Sequence, residues 1–421
     1  MKILSFSLQC YILLTSMFFY AIQAQDNHIS EENLREYALK VFIDCNFCDI
    51  DYIRQEISFI NYMRDSKDAQ VHILGTSQST GSGGREYVFT LIGQKDFKGM
   101  NDTIKYASGP NDTREEIRSG RIQVLKLSLM RYVVKTPLYR QIRIDSESPS
   151  KPLIVEDKWK NWVFEIDMSN DFSGEKSMQS TEIETSIKAV KITPKWKIEL
   201  DEEYDYNRDK FVTEEDTTII SIKRSWSLEH LIVKSLGAHW SVGANFDVNS
   251  SSYRNFKFKY LFYPAIEYNI FPYSQSTRKQ LRFLYSIGYS YNKYNDTTLY
   301  MKMEDKLFGH KLEIAYEVKE KWGSISSSLR GSNYFNDFSW NSLNFWSSIS
   351  LRIIKGLSFR ISGHISLIHD QISLPKKGAT PEEILLRQRQ LASQYKYSFE
   401  FGISYTFGAI YNNIVNPRFG D

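Results

Sequence analysis

The pair Cys45 and Cys48 has the spacing of a thiol–disulfide site. It follows a short apolar run and precedes a helical pattern, and a helix N-terminus lowers the pKa of a thiol placed there. In an oxidising compartment the same pair forms a structural disulfide. Because no proline-bearing strand of the thioredoxin kind follows, we expect a structural disulfide, with redox activity as the alternative. Zinc needs more ligands than this pair supplies, and His72 alone does not complete a site, so we expect no metal and no cofactor.

Two histidines near the C-terminus raise the question of hydrolysis. His364 stands between Ser362 and Ser366, and His369 precedes Asp370. These residue types carry nucleophilic catalysis when a serine and a histidine are in contact. Alternation, however, places the two serines and His364 on one face, and no nucleophile motif surrounds them. We therefore expect no catalytic residue and keep a phospholipase-like hydrolase as the alternative.

Strict alternation of apolar and polar residues marks positions 397–407. A β-strand directs successive side chains to opposite faces, so this segment has one apolar and one polar face. Similar segments recur from Trp162 onward, separated by five short and six long turns. This pattern predicts a transmembrane antiparallel β-barrel of about twelve strands, or fourteen if residues 296–306 form a hairpin. Its last strand should pair with the strand that begins near Trp162, which would remove both edges.

Charged residues of both signs occupy the polar face of these segments. Ion pairs in a narrow lumen and charge rings in a selective pore both fit this composition. The mixture favours a charge-satisfied lumen over a strong anion or cation filter. The residues expected to line the lumen are Glu165, Asp167, Lys197, Glu199, Lys257, Lys259, Glu267, Arg282, Glu313, Glu317, Arg352, Arg360, His364 and Glu400.

The N-terminus has the pattern of a secretory signal peptide, with Lys2 before a largely apolar stretch that ends near Ala24. The 421 residues have a mean hydropathy of −0.41, 14% aromatic residues and a net charge of +3. These values exclude a helical membrane protein and give no reason to expect nucleic acid binding. We predict a signal peptide at 1–24, a periplasmic α+β domain at 29–138, a linker at 139–158, the barrel at 159–409 and a periplasmic tail at 410–421.

Element patterns in residues 29–138 predict the order β-α-β-β-β-α. The first helix should span residues 49–63 with Asp49 as its N-cap, and the last should begin after Thr113 and end before Pro137. The strands are expected at 38–43, 71–74, 87–92 and 103–106. This order resembles the N-terminal domain of the Tol-system propeller protein and the core of curli-secretion-type lipoproteins, which implies binding of other envelope proteins.

Four segments of the chain are similar to an uncharacterised family of Bacteroidetes outer-membrane proteins: VFIDCNFCD at 41–49, TGSGGREY at 80–87, AIEYNIFPY at 265–273 and YTFGAIYNN at 405–413. The resemblance implies an outer-membrane location and the two-part layout, and it implies no activity. The leading hypothesis is a non-enzymatic barrel embedded in outer-membrane lipid. It would act as a porin-like channel or as an envelope-assembly partner that docks periplasmic proteins through residues 29–138.

Overall fold

The computed structural model describes residues 36–81, 83–143, 157–212, 218–377, 392–411 and 413. The predicted signal peptide and most of the predicted linker and tail lie outside these residues. The described chain is mainly β, with a mixed sheet of five strands, an antiparallel sheet of twelve strands and two α-helices. Neither of these helices combines the length and the apolar character that a membrane crossing requires.

The N-terminal domain, residues 36–143, contains the mixed sheet and both helices. The elements are β1 (Lys40–Asp44), α1 (Ile50–Glu56), β2 (Asn61–Tyr62), β3 (Val71–Ser79), β4 (Arg85–Gly93), β5 (Asp102–Ala107) and α2 (Arg114–Val133). Strand β1 is parallel to β2 and β3, whereas β4 and β5 add in antiparallel fashion, which gives the order β2-β1-β3-β4-β5. Helix α2 covers the sheet with Ile122, Leu125 and Leu129, all buried.

The two predicted helix starts are confirmed. The Asp49 carboxylate accepts a hydrogen bond from the Tyr52 amide at 3.0 Å. Thr113 and Glu116 form a reciprocal capping box at the start of α2. Such caps satisfy amides that have no partner within the helix.

The predicted length of the first helix is wrong, because α1 ends at Glu56 and the short strand β2 follows. The Tyr62 hydroxyl donates to the carbonyls of Ile53 and Ile57, both at 2.9 Å, and ties the returning chain to the helix end. Ile57 and Ile60 remain buried beyond the helix. The helical spacing of apolar residues therefore continued past the true end, and the observed order is β-α-β-β-β-β-α.

The second sheet is a meander in which each strand pairs with its neighbours in sequence. The predicted count of twelve strands is confirmed, and residues 295–303 connect two strands rather than forming a hairpin of their own. The strands are β6 (Trp162–Gly174), β7 (Met178–Ile192), β8 (Trp196–Val212), β9 (Thr218–Ser235), β10 (Trp240–Ser251), β11 (Phe256–Asn269), β12 (Lys279–Tyr294), β13 (Glu304–Glu320), β14 (Gly323–Tyr334), β15 (Asp337–Ile354), β16 (Leu357–Ile368) and β17 (Tyr395–Tyr405).

The two faces of the large sheet differ sharply in polarity. Register pairs connect Glu165, Lys188, Asp201, Glu229 and Asp247 across five strands, and the face that carries them is called the inner face. The opposite, outer face exposes large apolar side chains such as Phe164, Ile166, Met168, Tyr397, Phe399 and Ile403. The predicted pairing of the first and last strands is not observed: within the described residues β6 and β17 share no ladder, so the sheet is open between them.

The N-terminal domain lies against the short-turn end of the large sheet and touches both of its terminal regions. A Cβ atom added at Gly81 would come within 2.3 Å of the Ile192 carbonyl oxygen at the end of β7. At the other end of the sheet, Asp65 accepts a hydrogen bond from the Gly356 amide at 2.5 Å, between β15 and β16. Residues after β17 also join the domain, since the Arg64 amide donates to the Ile410 carbonyl at 3.1 Å.

Candidate functional site: a cavity on the inner face

A cavity of about 870 Å³ lies against the inner face of the large sheet. Its lining includes Lys197 of β8, Lys259 of β11 and Ser342 of β15, so the sheet curves enough for distant strands to face the same space. Sites for small molecules commonly enclose about 300–1,000 Å³. The cavity is therefore large enough for a solute well above the size of water.

A network of ion pairs centred on Glu313 lies on one wall of the cavity. Arg282 donates to one Glu313 oxygen at 2.7 Å, and Arg330 donates to the other through Nε at 2.8 Å. Arg282 also approaches Glu267 at 3.5 Å, and Glu267 accepts a hydrogen bond from the Tyr273 hydroxyl at 2.9 Å. Charged hydrogen bonds of this kind are the stronger ones in proteins, and here they fix both arginines to the wall.

Two lysines of the cavity contact aromatic rings. The Lys311 ammonium lies 4.4 Å from the centre of the Tyr263 ring, and that of Lys259 lies 4.9 Å from the Phe256 ring centre. Within the described ranges neither ammonium has a carboxylate within ion-pair distance. A cation over a ring face is attracted by the π electrons, yet it keeps its capacity to bind an anion.

The chain after β16 folds over the end of the cavity that is opposite the N-terminal domain. Asp370 lines the cavity, and Ile372 and Leu374 are buried beyond it. The Leu374 carbonyl accepts a hydrogen bond from the Leu299 amide at 2.8 Å, and the Ser373 carbonyl accepts one from the Asn255 side chain at 2.8 Å. Residues 370–376, called the cap segment, thus join the connections β10–β11 and β12–β13 and cover the cavity there.

Register places almost all of the predicted lumen residues on the inner face. Thirteen of them share it: Glu165, Asp167, Lys197, Glu199, Lys259, Glu267, Arg282, Glu313, Glu317, Arg352, Arg360, His364 and Glu400. Five of these line the cavity, namely Lys197, Lys259, Glu267, Arg282 and Glu313. Arg352 contacts the N-terminal domain instead.

Lys257 is the exception among the predicted lumen residues. A bulge between Phe256 and Phe258 shifts the register, so that Phe256 pairs with Tyr294 on the inner face and Lys257 has no ladder partner. Phe256 is accordingly buried, while Lys257 is exposed. Simple alternation fails here because a bulge adds one residue to one strand only.

Several cavity residues were missed from the sequence. Lys311 and Arg330 follow the same alternation as Glu313 and its neighbours, so their inner position can be predicted from the sequence. Tyr263 lies on the inner face of β11, the face that also carries Glu267, for which alternation predicts the inner position correctly. Asp370 lies outside any strand, and no local pattern indicates that its loop turns into the cavity.

The two histidines considered for hydrolysis lie in β16 of the large sheet and just beyond its end. His364 pairs with Ser398 and Trp346 in the ladders, on the inner face. His369 contacts the Asn341 side-chain oxygen at 3.1 Å. In the described part of the chain neither ring is hydrogen-bonded to a serine, which is the contact that activates a nucleophile.

Cys45 and Cys48 are joined in a disulfide, with Cα atoms 5.4 Å apart. The bridge packs against Gly75 of β3, where an added Cβ would lie 2.8 Å from the Cys45 sulfur. Among the described residues no group of three metal-ligating side chains is present. The disulfide links the residues between the end of β1 and the start of α1.

An ion cluster forms the centre of the contact between the N-terminal domain and the large sheet. The Asp44 carboxylate lies 3.0 Å from the Arg352 guanidinium and 3.7 Å from the ring of His72, which is fully buried. The Lys319 ammonium donates to the Gly75 carbonyl at 2.8 Å. Burial alone would raise the pKa of Asp44, but His72, Arg352 and the charge of Lys319 outweigh it and hold the pKa at about 2.

The pKa of His72 is controlled mainly by burial. Burial lowers the pKa of His72 below its ordinary value, and the adjacent Asp44 carboxylate opposes this only in part. Among the described residues the ring Nδ1 has no hydrogen-bond partner, and Nε2 faces the Asp44 carboxylate at 3.7 Å, a long contact that still favours the ionised carboxylate. The imidazole is therefore neutral near pH 7, packed edge-on against Phe42 at a centroid distance of 5.1 Å.

Compared with protein-family models and with curated proteins, the chain matches none of either.

Proposed function

We propose that the chain is an outer-membrane β-barrel that acts as a gated channel for small solutes. The observation that carries this proposal is the division of twelve strands into an exposed apolar face and a charged face around a cavity. A protein in water rarely exposes so large an apolar surface. A barrel in lipid requires that surface, because its outer side chains meet the acyl chains.

Aromatic residues at the short-turn end support the same location. Trp162, Trp196 and Trp240 begin three alternate strands at that end of the sheet, all on the outer face. Trp and Tyr concentrate where lipid headgroups meet water, because their rings are apolar and their N–H or O–H groups are polar. The short turns would then lie on the periplasmic side, together with the N-terminal domain.

The open edges of β6 and β17 fit this proposal only if they pair in the bilayer. An unpaired backbone group in hydrocarbon costs several kcal/mol, so a spanning sheet has to close. We expect β6 and β17 to form a ladder in the membrane, with their apolar faces turned to lipid. Cysteines placed on facing inner positions of the two strands should then cross-link in membranes.

Gating follows from the cap segment. Its buried Ile372 and Leu374 and its backbone hydrogen bonds to residues 297–299 cover the cavity at the long-loop end. Passage would require this segment to move. Within the described residues a few backbone and side-chain hydrogen bonds hold the segment to the neighbouring connections, and breaking them would let it open locally.

The test is conductance of the purified full chain in planar bilayers. Asn255 donates to the carbonyls of Ser373 and Asp296, so the isosteric Asn255→Asp variant would place a carboxylate oxygen against both. We expect about a tenfold higher open probability, since the two carbonyls would lose their donor, and a buried acceptor without a partner costs about 1–3 kcal/mol. Asn336→Asp is the control, because the Asn336 side chain also donates to a backbone carbonyl and accepts from a backbone amide, but in an exposed loop away from the cap segment. Absence of conductance in the native chain and in Asn255→Asp alike would refute the channel.

A docking role for the N-terminal domain is the second candidate function. One stripe of α2 and its C-cap exposes Leu127 and Val134, each more than half accessible, on either side of Arg131. This stripe is separate from the surface that meets the large sheet. If it binds a periplasmic protein, Leu127→Ser should abolish capture of that protein by the full chain, and an unchanged capture would contradict the role.

A further inference from the structure

The charges around the cavity are not balanced. Three carboxylates line it, those of Glu267, Glu313 and Asp370. Twice as many basic side chains line it: Lys195, Lys197, Lys259, Arg282, Lys311 and Arg330. Basic groups thus outnumber carboxylates among the side chains that line the cavity.

The excess positive charge is concentrated on particular residues. Arg282 and Arg330 share the carboxylate of Glu313, and Lys197 pairs with Glu199 at 3.0 Å. Within the described residues Lys259 and Lys311 contact aromatic rings and have no carboxylate within ion-pair distance, although Asp247 and Asp370 act on both from farther away; both lysines are half-buried. An ammonium that is partly removed from water without a counter-charge is unfavourable, and a bound anion removes that penalty.

The position of Lys311 is set by a niche in the sheet. Gly288 and Gly309 face each other across β12 and β13, and the Tyr263 ring lies over them. A Cβ at Gly288 would come within 2.8 Å of the Tyr263 ring, and one at Gly309 within 3.3 Å of its hydroxyl. Because both positions lack side chains, the ring can lie flat on the wall and support the Lys311 ammonium above its face.

We propose that this cavity binds a small hydroxylated anion, of the sugar-phosphate class, through Lys259 and Lys311. Ser241, Ser286, Ser332 and Tyr334 line the same space, and their hydroxyl groups both donate and accept hydrogen bonds to a polyol. The volume of about 870 Å³ admits a phosphorylated hexose. The proposal names the class of solute that the proposed channel would carry, and to that extent it rests on the proposed function.

The test is isothermal titration of the detergent-solubilised full chain with glucose 6-phosphate, glucose and inorganic phosphate. Lys259→Gln and Lys311→Gln should each weaken binding of glucose 6-phosphate by about tenfold or more, because each removes a charged hydrogen bond. Lys259→Arg and Lys311→Arg should retain most of the affinity. Lys257→Gln is the matched control, since Lys257 is the exposed bulge residue two positions from Lys259.

Three results would overturn the proposal. These are no binding of either phosphate compound, equal binding of glucose and glucose 6-phosphate, and equal losses in Lys257→Gln and Lys259→Gln. Inorganic phosphate binding as tightly as the sugar phosphate would contradict recognition of the hydroxyl groups. Heat-modifiable migration in SDS gels verifies that each variant is folded. Binding without conductance would contradict the channel and leave the site standing, whereas conductance without binding would do the reverse.

Discussion

Replacement of Asp44 should loosen the N-terminal domain from the large sheet. Its carboxylate lies 3.0 Å from Arg352, and the Asp44 side chain is only 13% exposed. Asp44→Asn keeps the shape of the side chain and removes the charge. Arg352 would then remain partly buried at the contact without its counter-charge, which is the costly outcome of breaking such a pair.

The pKa of Asp44 sets the magnitude. It falls from 3.8 to about 2 in the folded protein. One pKa unit corresponds to about 1.4 kcal/mol, so the ionised carboxylate contributes up to about 2–3 kcal/mol. His72 supplies a share of this from within the N-terminal domain, so the docking contribution is smaller than the whole. Because the folded pKa is depressed, this stability is present above pH 3.8 and is lost as the pH falls through about 2.

Hydrogen exchange of the full chain in detergent at pH 7 measures the effect. Asp44→Asn and Arg352→Gln should each speed exchange in β1 and β3, and the double variant should add little, since both remove one interaction. Asp68→Asn is the control, because its partner Lys355 is 49% exposed and such pairs contribute about 0–1 kcal/mol. Unchanged exchange in Asp44→Asn, or an equal effect of Asp68→Asn, would refute the reasoning.

Three further predictions concern other parts of the chain. His72→Gln should flatten the loss of stability of the N-terminal sheet below pH 6.5, since the lowered folded pKa of His72 makes protonation favour the unfolded chain; urea midpoints by pulse proteolysis at each pH measure it. Gly288→Ala should lower the temperature at which the folded band disappears in SDS gels, because overpacking costs about 1–3 kcal/mol of stability, whereas Gly331→Ala should leave that temperature unchanged. Cys45→Ser with Cys48→Ser should destabilise the N-terminal domain by about 2 kcal/mol, measured by urea unfolding.

The controls for these predictions come from the same chain. A Cβ at Gly331 has its nearest neighbour at 3.7 Å, whereas one at Gly288 would meet the Phe262 carbonyl oxygen at 2.1 Å. Equal behaviour of the two glycine variants would contradict the niche under Tyr263. Loss of thiol exchange without any loss of stability in the cysteine variants would favour the redox alternative over the structural one.

Local patterns in the sequence were sufficient for most of the large sheet. Alternation and turn residues depend on neighbouring positions only, so they predicted twelve strands and the inner position of residues such as Glu313. Caps such as Thr113 are also local and were found. These features need no knowledge of distant partners.

Features that depend on distant contacts were not predictable in the same way. Strand β2 exists because Asn61 bonds to Leu39 and Tyr62 reaches the end of α1. The bulge at Lys257 depends on how β11 fits against two neighbouring strands. Asp370 enters the cavity because its loop packs on two other connections, and no spacing within the loop encodes that.

The edge of the N-terminal sheet has a consequence for the order of folding. The Asn413 side chain accepts a hydrogen bond from the Tyr62 amide at 2.7 Å and donates to the Asn61 side chain at 2.9 Å, across 351 and 352 residues. Contacts of such sequence separation form late, because the intervening chain must be ordered first. The first part of the chain to be made therefore completes its edge only when the last part arrives, and a nascent or truncated chain presents β2 uncovered.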